Sequence, residues 1–179
     1  SGGIVRFDGR DFRRWAPDRV RHVVRALWAD DLGRVLVAAA DEPLWIVRGD
    51  SLAALSGPAR GPVLDWNDAA LAADGTAGVL WTDRVGVRDS LGRWRVLPAA
   101  AFDSSGLERV LPWARDTLLV ATRRALYAVT GGGEPCRVAG IGRVLAAKPW
   151  PDGGMIALTR GGELWRIAGD APEVLLSGG

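Results

Sequence analysis

"LWTDRVGVRDSLGRW", residues 80–94, reads as two short strands and two turns, with a tryptophan near each end. Val, Trp and Leu suit a pleated, half-buried surface, and Asp, Ser and Gly mark the reversals between runs. The stretch recurs along the chain. From Leu118 the sequence is "LLVATRRALYAVTGGGEPCRVAG", and from Met155 it is "MIALTRGGELWRIAGDAPEVLLSG". An earlier copy, "VLVAAADEPLWIVRGDSLAALSG", starts at Val35. "GIVRFDGRDFRRW" at the N-terminus fits the second half of the same unit.

Aligning Val5, Trp45, Val87, Tyr127 and Trp165 spaces the units close to ~40 residues apart, the period of propeller blades. A rival register pairs Trp66 with Trp113 and Trp81 with Tyr127, but makes the spacing irregular. The preferred register requires an insertion in the second unit, roughly "DAALAADGTA" after Asn67. Each full unit then holds four short strands. Strand a is "VVRALW", "PVLDW", "RVLPW" or "RVLAAKPW"; strand b is "VLVAA", "VLWTD", "LLVAT" or "MIALT". Strand c is "LWIV", "VGVRD", "LYAV" or "LWRI"; strand d is "LAALSG", "RWRVLP", "CRVAG" or "EVLLSG". Strand b is apolar on consecutive residues, the pattern of a strand buried on both faces. A blade sandwiched between two neighbours meets that condition.

The expected fold is therefore all-β: a β-propeller of four-stranded antiparallel blades, four full blades plus a partial one. The partial blade covers residues 3–15, and full blades cover about 22–57, 61–98, 109–140 and 143–177 of a single domain. A half-unit leaves a strand edge without a partner, and natural proteins cover such edges. The chain is expected to be a small ring with extra strands, or part of a larger or oligomeric ring. A protein partner, or self-association through the incomplete blade edge, is the corresponding expectation.

These repeats resemble those of bacterial two-component-regulator sensor propellers. Units of that kind run approximately G-x-L-W-x-G-T-x-x-G-L-x-R-F-D-G. Gly3, Val5, Arg6, Phe7, Asp8 and Gly9 match its latter half, and "VLWTDRVGVRDSLGRW" matches at Leu80, Trp81, Thr82 and Gly86. Trp81 and Ala121 stand where the pattern carries Gly before Thr. The resemblance implies blade packing, and a ligand-sensing or binding domain of a bacterial regulator.

Composition narrows the chemistry. Cys136 and His22 are the single cysteine and histidine among 179 residues, so no internal disulfide and no Cys- or His-pair metal site can form. No catalytic, cofactor-binding or metal-binding residue is assigned, and no cofactor is expected. The formal net charge of +2 does not call for nucleic acid. The apolar runs are too short to span a bilayer, and no leader pattern is present. No membrane partner is expected, and the cytoplasm is the default location.

The strand order puts b–c and d–a turns at one end of the blades. Arg84, Arg123, Arg124 and Arg160 fall in b–c turns and form the candidate partner-binding face. Arg19, Arg21, Arg60, Arg109 and Arg143 fall in or beside d–a connections. Asp30, Asp31, Asp68, Asp116 and Asp152 are expected at the opposite end, with Asp8, Asp50, Asp89 and Asp170. Arg forms bidentate bonds to carboxylates and phosphates, so an acidic partner suits the first end. Trp15, Trp94 and the segment near Asp74 are candidates for a channel mouth. The functional expectation is a non-catalytic scaffold for protein–protein interaction or assembly. The alternative is a ligand-sensing propeller, and a propeller hydrolase or lyase ranks third.

Overall fold

The structure, a computed structural model, describes residues 4–7, 9–15, 20, 23–30, 32–39, 42–55, 57, 67–103, 106–151, 154–168 and 171–177. The chain is a β-propeller arc of four four-stranded antiparallel blades, preceded by a two-stranded hairpin. The hairpin pairs β1 (Ile4–Phe7) with β2 (Phe12–Trp15), and Phe7 stacks on Phe12 with ring centroids 4.7 Å apart. Blade 1 is β3 (Val24–Ala29), β4 (Arg34–Ala39), β5 (Leu44–Arg48) and β6 (Ser51–Leu55). Blade 2 is β7 (Asp68–Leu71), β8 (Ala77–Leu80), β9 (Arg84–Arg88) and β10 (Trp94–Pro98). Blade 3 is β11 (Leu107–Ala114), β12 (Thr117–Thr122), β13 (Leu126–Thr130) and β14 (Cys136–Ala139). Blade 4 is β15 (Val144–Pro149), β16 (Met155–Thr159), β17 (Leu164–Ala168) and β18 (Ala171–Leu176). In each blade the strands pair in chain order, so every connection is a hairpin.

The segment expected as an insertion is a strand and a turn of the blade itself. β7 is "DAAL", and it pairs with β8 through Asp68↔Leu80 and Leu71↔Ala77. "PVLDW", expected as this blade's first strand, lies outside the described residues. Small side chains explain the choice of β7. It packs against β3 and β4 on one side and β11 on the other, where bulk cannot fit. Gly78 on β8 shows the same crowding: a Cβ there would stand 2.5 Å from Val110 Cγ2 and 2.7 Å from Leu118 Cδ1.

The aromatic register also shifts. Trp45 pairs with Val37, Tyr127 with Val120 and Trp165 with Ala157. The partner of Val79 is Gly86, not Val87. Val87 lies one residue on, and side chains alternate faces along a strand, so it faces blade 3 instead. Gly86 is thus the structural equivalent of the other three aromatics.

Three apolar cores join the blades. Leu36, Ala38 and Leu44 of blade 1 meet Leu71, Val79 and Trp81 of blade 2. Leu80, Val85 and Leu97 of blade 2 meet Val110, Val120 and Tyr127 of blade 3. Leu119, Ala121 and Leu126 of blade 3 meet Met155, Ala157 and Ile167 of blade 4. Each fully buried Leu or Val contributes roughly 1.5–3 kcal/mol of transfer free energy, so these interfaces hold the arc together. Trp28, on β3, packs against all three cores.

Candidate functional site

Two surfaces lie at opposite ends of the blades. At the a–b turn end, the inner strands β3, β7, β11 and β15 converge on a cavity of about 500 Å3. Its apolar wall is Trp28, Pro112, Trp113 and Pro149, and Asp30, Asp74, Arg115 and Lys148 supply its charge. Each of the four blades contributes residues to it. Trp28 is fixed there by its indole N–H, which donates to the Leu71 carbonyl at 3.1 Å. Of the channel candidates read from the sequence, only the Asp74 segment lines this cavity. Trp94 packs against the core between blades 1 and 2. The side chain of Trp15 lies outside the described residues. Trp28 and Trp113 close the strand a copies "VVRALW" and "RVLPW", so the repeat marks them, whereas Lys148 carries no such signal.

The aspartates near this end are structural. In "DDLGR" the Asp30 carboxylate accepts from the Arg34 amide at 2.8 Å and from Arg34 Nε at 2.5 Å. "DSLGR" repeats the device in the c–d turn of blade 2: Asp89 accepts from the Arg93 amide and from Arg93 Nε, both at 2.8 Å. Gly33 and Gly92 take φ of +73° and +89°, a region open to glycine in such turns. Arg34 then reaches across to blade 2, donating to the carbonyls of Ala72 at 2.7 Å and Ala73 at 2.9 Å. Asp74 continues the chain of contacts, accepting from the Asp116 amide of blade 3 at 2.6 Å. Burial works to raise the pKa of Asp74, but the amides of Asp116 and Thr76 outweigh it and hold it below its usual value. These carboxylates are occupied as turn ties and staples between blades. Among the described residues, no group of three His, Cys, Asp or Glu could hold a metal ion.

Asp68 does not lie at this end. It starts β7, at the opposite end of blade 2, and clasps blade 3: its Oδ2 accepts from Arg109 Nε at 2.9 Å and the Val110 amide at 3.0 Å. Burial raises its pKa, and the Val110 amide and the Arg109 charge offset this only in part.

The b–c turn end gathers the predicted arginines. Three backbone hydrogen bonds run along it: Arg123 N–H to Gly106 O at 3.2 Å, Arg143 N–H to Thr122 O at 3.1 Å, and Arg160 N–H to Arg143 O at 2.8 Å. Gly142 presses against the backbone of Arg123 and Arg124, leaving no room for a Cβ. Turns from blades 3 and 4 are thereby locked side by side, with Arg123, Arg124, Arg143 and Arg160 all exposed. Arg143 holds φ of +54°, an uncommon value for a residue with a side chain. Arg123 Nε lies 3.7 Å from Glu108 Oε1, a loose pair. Arg84, on blade 2, is bound to its neighbour Asp83 at 2.8 Å. The structure thus unites three of the four predicted arginines, adds Arg143, and leaves Arg84 paired on its own blade. Arg19, Arg21 and Arg60, like His22, Asp8, Asp31, Asp152 and Asp170, lie outside the described residues.

No protein-family model matches this chain, and no characterised sequence matches it. Its backbone is similar to that of several solved propellers. One is virginiamycin B lyase from Staphylococcus aureus: TM-score 0.65 at 12% identity, over 94% of this chain and 60% of that one. Another is YCF48 bound to D1 peptide: TM-score 0.57 at 12% identity, over 87% of this chain and 55% of that one. A third is the extracellular domain of a hybrid two-component system from B. thetaiotaomicron: TM-score 0.60 at 14% identity, over 96% of this chain and 24% of that one. The chain spans little more than half of the first two. At such identities the likeness shows the propeller fold alone. No helix among the described residues is long and apolar enough to cross a membrane.

Proposed function

We propose that this chain is a non-catalytic binding propeller that docks an acidic segment of a protein partner on its b–c turn end. The observation that carries the reading is the backbone-locked row of Arg123, Arg124, Arg143 and Arg160. Arginines pre-positioned by a rigid scaffold lose less freedom on binding, and each can grip a carboxylate bidentately. Arg84 extends the face toward blade 2. That YCF48 binds a peptide on a similar fold supports a partner of this kind. A lyase on the same fold keeps catalysis in view. Virginiamycin B lyase is inactive as a histidine-to-alanine variant, and the one histidine of this chain is His22. The edge of the β1–β2 hairpin is proposed as a place of self-association, and the exposed free thiol of Cys136 suits a reducing cytoplasm.

The test is a panel of Glu- and Asp-rich peptides, with neutral controls, titrated by fluorescence anisotropy across a salt series. Arg124→Glu/Arg143→Glu/Arg160→Glu should weaken acidic peptides at least ~10-fold, equivalent to about 1.4 kcal/mol. Unchanged affinity in that variant, with its circular dichroism intact, would sink the reading.

A second reading rests on the cavity. About 500 Å3 is a volume suited to a small ligand, and its two indoles and two prolines offer an apolar, stacking wall. In that case the chain is a ligand-sensing propeller, and Trp113→Ala, not the arginine variant, removes binding.

A further inference from the structure

The cavity at the a–b turn end has two carboxylates on its wall, and both are already engaged. Asp30 Oδ1 accepts from the amides of Leu32 at 3.0 Å and Arg34 at 2.8 Å, and its Oδ2 takes Arg34 Nε. The Asp30 side chain is only 5% exposed. Asp74 Oδ1 accepts from the Thr76 amide at 2.9 Å, and Oδ2 from the Asp116 amide at 2.6 Å. Three carbonyls beside them are engaged too. Arg34 donates to those of Ala72 and Ala73, and the Trp28 indole donates to that of Leu71.

The donors on the same wall are not engaged. Lys148 and Arg115 are exposed, and neither side chain has a partner among the described residues. The indole N–H of Trp113 also has none among them. Charge divides in the same way. Arg34 neutralises Asp30, and Asp74 faces two cations, so positive charge is in excess. Asp116 is not part of the wall and accepts from the Ser90 amide with Oδ1 at 3.3 Å.

We propose that this cavity binds a flat aromatic carboxylate, its ring against Trp28 and Trp113 and its anionic end toward Lys148 and Arg115. The inference rests on the reading of the cavity as a ligand site and adds the chemical class. An ammonium or guanidinium ligand meets two cations and no free carboxylate. A sugar could lie on the indoles, but its hydroxyl donors find both carboxylates taken. A neutral aromatic gains the apolar wall and leaves the cations without an acceptor. A carboxylate uses both halves, and its charge-assisted bonds are roughly twice as strong as neutral ones. The volume of about 500 Å3 suits one such molecule.

Isothermal titration of the full chain with cinnamate, its neutral amide cinnamamide and the cation cinnamylammonium tests the proposal. Cinnamate should bind at least ~10-fold more tightly than cinnamamide, and cinnamylammonium more weakly than either. Lys148→Gln/Arg115→Gln should bring cinnamate down to the affinity of the amide and leave the amide unchanged. Both substitutions fall on exposed side chains, and circular dichroism should report an unchanged fold. Lys148 is the only lysine of the chain, which gives an independent readout. Cinnamate should slow its acylation by an amine-reactive reagent, followed by peptide mass, and cinnamamide should not. Equal affinity for acid and amide overturns the anion and leaves the cavity a ligand site. So does a preference for the acid that survives Lys148→Gln/Arg115→Gln. Loss of cinnamate binding in Arg124→Glu/Arg143→Glu/Arg160→Glu would place the anion at the other end and overturn the proposal. Binding of none of the three compounds overturns both the proposal and the ligand reading beneath it.

Discussion

Gly86 has no side chain, and the space where one would stand is taken by an indole. A Cβ at Gly86 would lie 2.9 Å from Trp81 Cζ3 and 2.8 Å from Val79 Cγ2. In the other blades this slot belongs to the strand c aromatic, Trp45, Tyr127 or Trp165. Blade 2 fills it from the end of strand b instead. Trp81→Ala should therefore open a cavity and cost about 3–5 kcal/mol. Gly86→Tyr alone should also destabilise, because two rings compete for one space. The double variant Trp81→Thr/Gly86→Tyr rebuilds the arrangement of blade 3 and should recover most of the loss. Urea denaturation of the four proteins decides it: a double variant no more stable than the worse single one would refute the exchange.

Two aspartates make opposite predictions about acid. The folded pKa of Asp68 lies above its usual 3.8, so between those values the folded state binds more protons than the unfolded one. Its contribution to stability therefore grows as pH falls through that window. The folded pKa of Asp74 lies below 3.8, so its contribution is full above 3.8 and lost as pH falls through the folded value. Measured from pH 7 downward, the stability of the unmodified protein relative to Asp68→Asn should rise, and relative to Asp74→Asn should fall. Two curves of the same sign would show that the burial of Asp68 is not what governs it.

At the scale of elements, strands b and c were legible because they are apolar runs of four to six residues closed by Gly, Asp or Arg. β7 was not. "DAAL" has no β-branched or aromatic residue, since its position between β3, β4 and β11 selects small side chains over strand formers. Gly86 was passed over for Val87 because a glycine offers no side chain to align with Trp45 and Tyr127. The arginine turns could be placed from strand order alone. Their locking together could not, because it depends on backbone hydrogen bonds between blades. The Trp closing each strand a was legible, but the cavity was not, because its walls are the ends of four strands spread from Trp28 to Pro149. Turn chemistry extends to stability as well. Arg34 links three groups across blades 1 and 2, and Arg34→Ala leaves the Ala72 and Ala73 carbonyls and the Asp30 carboxylate without it. A loss of about 1–3 kcal/mol in thermal or chemical denaturation is expected, and Arg34→Lys should restore only part of it.

At the scale of the molecule, Trp28 has a consequence for how the arc comes apart. Stacked repeats commonly behave as one-dimensional systems, each unit coupled only to its neighbours, so the ends can melt before the middle. Trp28 belongs to blade 1, yet it packs against the cores between blades 2 and 3 and between blades 3 and 4. That contact couples units that are not neighbours and makes partial melting costly. The intact chain should unfold in one cooperative transition, with coincident curves from near-UV and far-UV circular dichroism. In Trp28→Ala the curves should separate, with blade 1 released first. A single indole at the hub thus turns a row of independently meltable sheets into one thermodynamic unit.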